Sequence, residues 1–274
     1  MSAHQATAPT QADAAAASAP IGVFDSGIGG LSILRALRAQ LPHEDFVYFA
    51  DTGHAPYGER AEAFVAERSM AVSRELIERR AVKLMVVACN TATAAAVATL
   101  RAAWPGLPIV GVEPALKPAA LATRTGRVGV LATRGTLESS KFRQLHASLE
   151  AQARFVLQPC DGLAAAIEAR DEARIDTLCA RYVGALGELG TRPGQIDTLV
   201  LGCTHYALVM PQFVRLAGPQ VRLLETGEPV ARQCRRLLSE SSLLHPGITP
   251  GLVTLIGSGD PVALAEAAEH WLAD

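Results

Sequence analysis

From Ile21 onward the chain alternates short apolar runs with longer amphipathic stretches. Runs such as "IGVFD", "FVYFA", "LMVVA" and "TLVL" are too short for helices, and their branched and aromatic residues suit strands covered on both faces. The pattern predicts nine strands, at 21–25, 46–50, 84–88, 109–112, 128–132, 154–158, 198–201, 221–224 and 252–256. The segments between them are of helical length. In "AEAFVAERSMAVSRELIERR", Val65, Val72 and Leu76 recur at helical spacing and share one face. Alternation of strand and helix over this length specifies an α/β fold with mainly parallel sheets. Such sheets bind ligands beyond the carboxyl ends of their strands. Asp25, Cys89 and Cys203 all fall at those ends.

The two halves of the chain echo each other. "IGVFDSG", "VVACNT" and "VGVEPALKPA" in the first half answer to "VGVLATR", "VLGCTH" and "RLLETGEPVA" in the second. Cys89 precedes Glu113 by 24 positions, and Cys203 precedes Glu225 by 22. A single such pair is what α/β composition produces by itself; three in register point to a duplicated half. Two halves facing each other would bring Cys89 and Cys203 to opposite sides of one cleft.

Composition narrows the chemistry. Of 274 residues, 49% are apolar and 19% charged, enough for a substantial core, and the net charge of −2 has no block of one sign. That argues against a nucleic-acid binder working by phosphate neutralisation. No apolar run is long enough to span a bilayer; the longest, from Val82 to Leu100, is broken by Lys83 and Asn90. Residues 1–20, rich in Ala, Ser, Thr, Gln and Pro, lack the basic start and apolar middle of a signal peptide and read as a disordered tail. Five cysteines without framework spacing fit a reducing cytoplasm. The three lysines, Lys83, Lys117 and Lys141, stand in no setting that marks a Schiff-base centre.

Three segments carry candidate chemistry. "DSGIGGLSILRAL" follows a strand and opens a helix, so its glycines allow a tight turn and its backbone N–H groups can hold an anion. It lacks the spacing of a dinucleotide fingerprint and the Gly-Lys-Ser/Thr of a P-loop, so a carboxylate fits it better than a pyrophosphate. "ADTGHAPYGER" is a polar loop in which Tyr57 can supply a hydroxyl, Gly58 gives freedom, and His54 is either a charge partner for a ligand or simply solvated. "ACNTAT" and "GCTHY" set each cysteine before hydrogen-bonding side chains and a helix start, where a thiolate is favoured. Asn90, Thr91 and Thr204 offer polar contacts, and His205 lies close enough to Cys203 to exchange a proton.

A lone cysteine near an apolar run is usually inert core; two in the same setting shift the balance toward chemistry. A structural zinc site normally takes four closely spaced ligands, and here Cys203 and His205 make one near pair with Cys89 a distant third, so zinc is a weak option that stays open. The C-x-x-C of thioredoxin-like redox work is absent. A paired acid and base remains, in which one thiolate removes a proton and a thiol on the other face delivers one. That geometry inverts a stereocentre. A free thiol titrates at about 8.5, so a helix terminus or a protonated His205 would raise the reactive fraction near neutrality.

With "FDSGIGGLS", "ADTGHAPYGER", "VVACNTATAAA", "VGVEPALKPA", "VGVLATRGT", "LGCTHY" and "ETGEP" in this order from residue 21 to about 230, the chain resembles the glutamate racemases, a family of cofactor-independent amino-acid racemases. The resemblance implies interconversion of L- and D-glutamate without a cofactor or metal, supplying D-glutamate for bacterial peptidoglycan. It implies Cys89 and Cys203 as the two bases, the first acting on the D-isomer and the second on the L-isomer. Asp25 would assist Cys89, and His205 would assist Cys203. Substrate contacts would come from Asp25, Ser26, Tyr57, Gly58, Asn90, Thr91, Thr204 and His205, and Glu168 aligns with an acid near the second cysteine. The sequence departs from the family pattern at Asp161, where proline is common, and at His54, where arginine is frequent. The implied architecture is two α/β domains, 21–113 with 226–274 and an inserted 114–225, with the site in the cleft between them and a homodimer as the assembly. Cys160, Cys179 and Cys234 are expected to be packing residues.

Overall fold

A computed structural model describes residues 11–273. In chain order its elements are α1 (Gln11–Ala17), β1 (Ile21–Asp25), α2 (Leu31–Gln40), β2 (Phe46–Ala50), α3 (Glu62–Arg74), β3 (Leu84–Val87), α4 (Asn90–Ala103), β4 (Ile109–Gly111), α5 (Leu116–Ala122), β5 (Arg127–Ala132), α6 (Arg134–Glu138), α7 (Ser140–Ala147), β6 (Arg154–Pro159), α8 (Leu163–Glu168), α9 (Glu172–Ala185), β7 (Thr198–Gly202), α10 (Thr204–Leu208), α11 (Met210–Ala217), β8 (Arg222–Leu224), α12 (Gly227–Glu240), β9 (Val253–Gly257) and α13 (Pro261–Leu272). All nine expected strands are present, with ends shifted by at most one residue.

Two sheets result, and every strand pair in them is parallel. The first runs β4-β3-β1-β2-β9 and the second β6-β5-β7-β8. Parallel sheets carry helices on both faces, so their central strands are buried throughout; β1, β3 and β7 are buried at every position. α2 turns Leu31, Leu34 and Leu37 inward at helical spacing, and α3 does the same with Val65, Ser69 and Val72 before a π turn over Glu75–Arg79 buries Leu76. Full burial of each such aliphatic side chain contributes about 1.5–3 kcal/mol.

One apolar cluster is shared by both sheets. It joins Leu31, Leu34 and Tyr48 to Leu163, Leu199, Tyr206 and Phe213. Separate clusters cover the outer face of each sheet, around Phe24 and Val87 in one and around Val128 and Phe142 in the other. β9, from the far end of the chain, pairs with β2, and α12 packs on α2, so the first sheet is finished by late residues. The shared cluster sets the carboxyl ends of β1, β3 and β7 near one another.

The expectation of a disordered tail over residues 1–20 requires correction where the structure describes it. Gln11–Ala17 is a helix, Ala17 is buried, and its carbonyl accepts a hydrogen bond from the buried Lys83 ammonium, which also pairs with Glu44. Alanine is the strongest helix former, and this alanine run has a cation beneath its carboxyl end to receive it. Residues 1–10 lie outside the described residues.

Candidate active site

β3 and β7 each run straight into a cysteine that is the N-cap of the next helix, Cys89 for α4 and Cys203 for α10. The two thiols are 6% and 7% exposed, so the space they face is almost closed to solvent. Asp25, at the end of β1, stands between them. Its Oδ1 accepts from Ser26 Oγ at 2.9 Å, and Ser26 Oγ in turn accepts from the Cys89 thiol at 3.6 Å. Its Oδ2 accepts from Thr204 Oγ1 at 3.1 Å, one residue beyond Cys203. One fully buried carboxylate thus joins the two cysteine turns.

The cysteines differ in their partners. Cys89 Sγ accepts the Ala92 N–H at 3.4 Å, the N-cap bond that the helix start offers. Burial and the charge of Asp25 nonetheless push the Cys89 thiol up to about 12, so it rests as S–H. The helix-start N–H of Ala92 does favour the thiolate, as expected, and Ser26 adds to it, but desolvation and a neighbouring carboxylate outweigh both. Cys203 makes no cap bond. Its sulfur lies 3.7 Å from His205 Nδ1, while His205 Nε2 donates to Glu168 Oε1 at 2.5 Å. Burial opposes charge on the His205 ring, but its bonds to Cys203 and Glu168 overcome this and raise its pKa well above that of an ordinary histidine. Because Glu168 fixes the proton on Nε2, Nδ1 is left to trade a proton with Cys203.

Burial, with the charge of Glu168 added, also lifts the Asp25 carboxyl above its usual range, against the pull of His205 and two hydroxyl donors. Coupling runs through the whole group, and a charge on Cys203 raises Cys89 in turn.

The glycines of "DSGIGG" serve close approach. A Cβ on Gly27 would lie 1.8 Å from Glu168 Oε1, and one on Gly29 would lie 2.2 Å from His205 Nδ1. The anion that this turn was expected to hold is the chain's own: Ile28 N–H donates to Glu168 Oε1 at 2.8 Å. Glu168, at the last position of α8, is therefore drawn into the site by the turn after β1.

The remaining expected residues line the same junction. Asn90 Nδ2 donates to the Val112 carbonyl at 3.3 Å, which fixes the amide orientation and leaves Oδ1 buried without a protein partner. Thr91 Oγ1 meets Thr133 Oγ1 at 3.1 Å, so α4 touches the start of α6. Gly58 lies close enough to Thr133 that a Cβ would come within 2.8 Å of it. Tyr57 is buried, but its hydroxyl is donated to Asp51, so it is not the free donor the sequence offered. His54 also bonds Asp51, at 3.0 Å, which removes it from the role of ligand partner. Among the described residues no three His, Cys, Asp or Glu side chains converge to hold a metal ion, and all five cysteines are free.

The Asp/Glu/hydantoin racemase family model matches residues 21–234. The chain belongs to that family. Members of it racemise without a cofactor, and this chain is a racemase of that kind. It is 48% identical over 248 residues to a glutamate racemase of Stutzerimonas stutzeri, covering 90% of this chain and 92% of that one. Among solved structures, the Escherichia coli glutamate racemase in complex with L-glutamate and the activator UDP-MurNAc-Ala is 32% identical. It covers 92% of this chain and 95% of its own, with a TM-score of 0.79. The Francisella tularensis enzyme in complex with D-glutamate is 26% identical and covers 93% and 94%, with a TM-score of 0.78.

Beside the expected residues the racemase site contains a group that sequence reasoning missed. Asp51, fully buried at the end of β2, takes a two-bond fork from Arg68 (3.0 and 2.8 Å) and the Tyr57 hydroxyl. Burial opposes its ionisation, yet the bonds from Arg68, Ser258 and Tyr57 hold the carboxyl below its usual range. The signal was present: "ADTG" repeats the Asp-[Ser/Thr]-Gly of "FDSG" at the end of the neighbouring strand, one residue further along, since Asp25 pairs with Ala50. Thr133 and Thr136, which meet Thr91, carried no such signal, because "ATRGT" reads as an ordinary strand-to-helix turn.

Proposed function

We propose that this racemase interconverts L- and D-glutamate by a two-thiol mechanism, with Cys203 removing the α-proton of the L-isomer and Cys89 that of the D-isomer. The observation that carries the reading is the bridge of Asp25 between the Ser26–Cys89 turn and the Thr204–Cys203 turn. In the L-to-D direction His205 holds the proton of Cys203, whose thiolate takes the α-hydrogen. The C–H pair is left on the substrate as a planar carbanion, and Cys89 S–H delivers a proton to the opposite face. Turnover leaves Cys203 as S–H and Cys89 as thiolate, the state that takes the α-hydrogen of the D-isomer. Resetting for another L-isomer returns one proton to Cys89 through Asp25 and Ser26 and releases one from the Cys203–His205 pair, the two balancing through solvent. The reverse reaction uses the same groups in the opposite order.

The α-hydrogen is far less acidic than a thiol, so the site must stabilise the carbanion through fixed donors in a water-poor space. The near-complete burial of both sulfurs supplies that condition. Asn90 Oδ1, an unfilled buried acceptor, suits the substrate ammonium. Thr91, Thr204, Ser26 and the Tyr57–Gly58 segment, which lies beside Thr133, are the residues assigned to further substrate contacts. The glutamate racemases this chain resembles, two of which hold D- or L-glutamate, support glutamate as the substrate. A cytoplasmic homodimer supplying D-glutamate for peptidoglycan is the accompanying assignment.

The test is incubation in heavy water with L-glutamate, D-glutamate and L-aspartate in turn. Deuterium entering at the α-carbon of both glutamate isomers, and far more slowly into aspartate, is the expected result. Exchange favouring aspartate would reject the substrate, and no exchange with any of them would reject the reaction.

A further inference from the structure

The mechanism above leaves Tyr48 unused. Tyr48 is in the middle of β2, fully buried, and its hydroxyl donates to the Gly27 carbonyl at 2.7 Å. That carbonyl and the Ile28 N–H belong to one peptide group, and the Ile28 N–H donates to Glu168 Oε1 at 2.8 Å. The same oxygen receives His205 Nε2, whose ring meets Cys203 through Nδ1. An unbroken series of hydrogen bonds therefore runs from Tyr48 on the first sheet to the Cys203 sulfur beyond the second. Among the described residues no comparable series leads from Tyr48 to Cys89, whose partners are Ser26 and the Ala92 N–H.

We propose that Tyr48 is a positioning residue for the Cys203 half of the reaction, acting by fixing the Gly27–Ile28 peptide against Glu168. The physical argument has two parts. Gly27 has no side chain to fix its peptide plane, and a turned plane would aim a carbonyl at a carboxylate. The Tyr48 hydroxyl selects the orientation that aims an N–H there instead. A peptide that accepts at its oxygen also donates more strongly at its nitrogen. Glu168 Oε1 thus stays an acceptor with two donors, which keeps the proton of His205 on Nε2 and its Nδ1 on Cys203. Tyr48 retains its own proton, since burial and then the charges of Asp25, Glu168 and Cys89 place its pKa well above the usual value. The other titratable groups facing this series are Asp25 from β1, Cys89 from the start of α4, and Cys160 and Tyr206 beside Cys203.

The proposal rests on the two-thiol reading, and the experiment separates their failures. The two enantiomers of free glutamate are equal in energy, so kcat/KM must be the same in both directions for any variant; direction-specific damage shows only in isotope effects. Primary deuterium isotope effects on kcat/KM are measured with α-deuterated L-glutamate and α-deuterated D-glutamate, for wild type and Tyr48→Phe. Loss of one buried hydrogen bond is expected to lower kcat/KM by about tenfold. The step at Cys203 then limits more, so the isotope effect rises from the L-isomer and falls from the D-isomer. General loosening of the site would move both effects alike or neither, and either result overturns the proposal. Should Tyr48→Phe fold poorly, Gly27→Ala displaces Glu168 from the other end of the series and is expected to produce the same asymmetry; symmetric effects there overturn it equally. A wild-type enzyme without an isotope effect in either direction would reject the proton-transfer reading itself.

Discussion

At the end of β3, the Cys89 thiol lies in a network of hydroxyl and carboxyl groups, caps its own helix, and is held as S–H. At the end of β7, the Cys203 sulfur caps nothing and meets an imidazole backed by a carboxylate. Strand, N-cap cysteine and helix are the same in both places; the proton inventory is not. The proposed two-thiol racemisation needs one thiol ready to give and one sulfur ready to take at the same moment. Two identical surroundings would leave both in the same state. In the proposed two-thiol mechanism the unequal partners would start one direction with a proton on Cys89 and one on His205, and each turnover would reverse the roles. Local motif placed the sulfurs; residues distant in sequence, Asp25 and Glu168, made them different.

The comparison breaks most completely if one thiol is dispensable. Cys89→Ser and Cys203→Ser are each expected to lower racemisation by about a thousandfold, at the scale of a lost acid–base group, with thermal midpoints close to wild type. Either variant retaining wild-type turnover in both directions would remove the two-thiol assignment. A smaller effect sharpens the difference between the halves. Iodoacetamide reacts with thiolates, so Cys203, paired with His205, is expected to be alkylated at least about tenfold faster than Cys89, with peptide mass mapping as the readout. Cys160, Cys179 and Cys234, whose burial pushes their thiols up, should lag with Cys89.

The smallest effect concerns the first sheet alone. Asp51→Asn is expected to cost about 2 kcal/mol of stability at neutral pH by unpairing Arg68. Because the Asp51 carboxyl is depressed in the folded chain, its contribution is present above the ordinary carboxylate range and disappears as pH falls through the folded value. Melting curves of wild type and variant should therefore converge in acid. Curves that stay parallel would show that Asp51 stabilises by packing alone.

The strands were legible because parallel sheets covered on both faces leave almost unbroken apolar runs, and β1, β3 and β7 are such runs. The cysteine turns were legible from their position at strand ends. Less was readable where long-range partners decide the outcome. "GIGG" reads as an anion-holding turn, and the sequence does not reveal that Glu168, 140 positions beyond Ile28, is that anion. The state of Cys89 depends on burial and on Asp25, neither of which is written beside it. Tyr57 offered a hydroxyl to a ligand, but Asp51 already has it. The alanine-rich stretch after residue 10 was ambiguous for a different reason: the same residue type that fills unstructured tails is the best helix former once Lys83 lies beneath it.

β9 gives the first sheet its outer edge, yet it is made of residues 253–257, more than two hundred positions after the β2 strand it joins. The β6-β5-β7-β8 sheet has all its strands by Leu224. On the ribosome the β6-β5-β7-β8 sheet can therefore be complete while β2 still shows a bare edge. The order of synthesis thus leaves the first sheet open longer than the second.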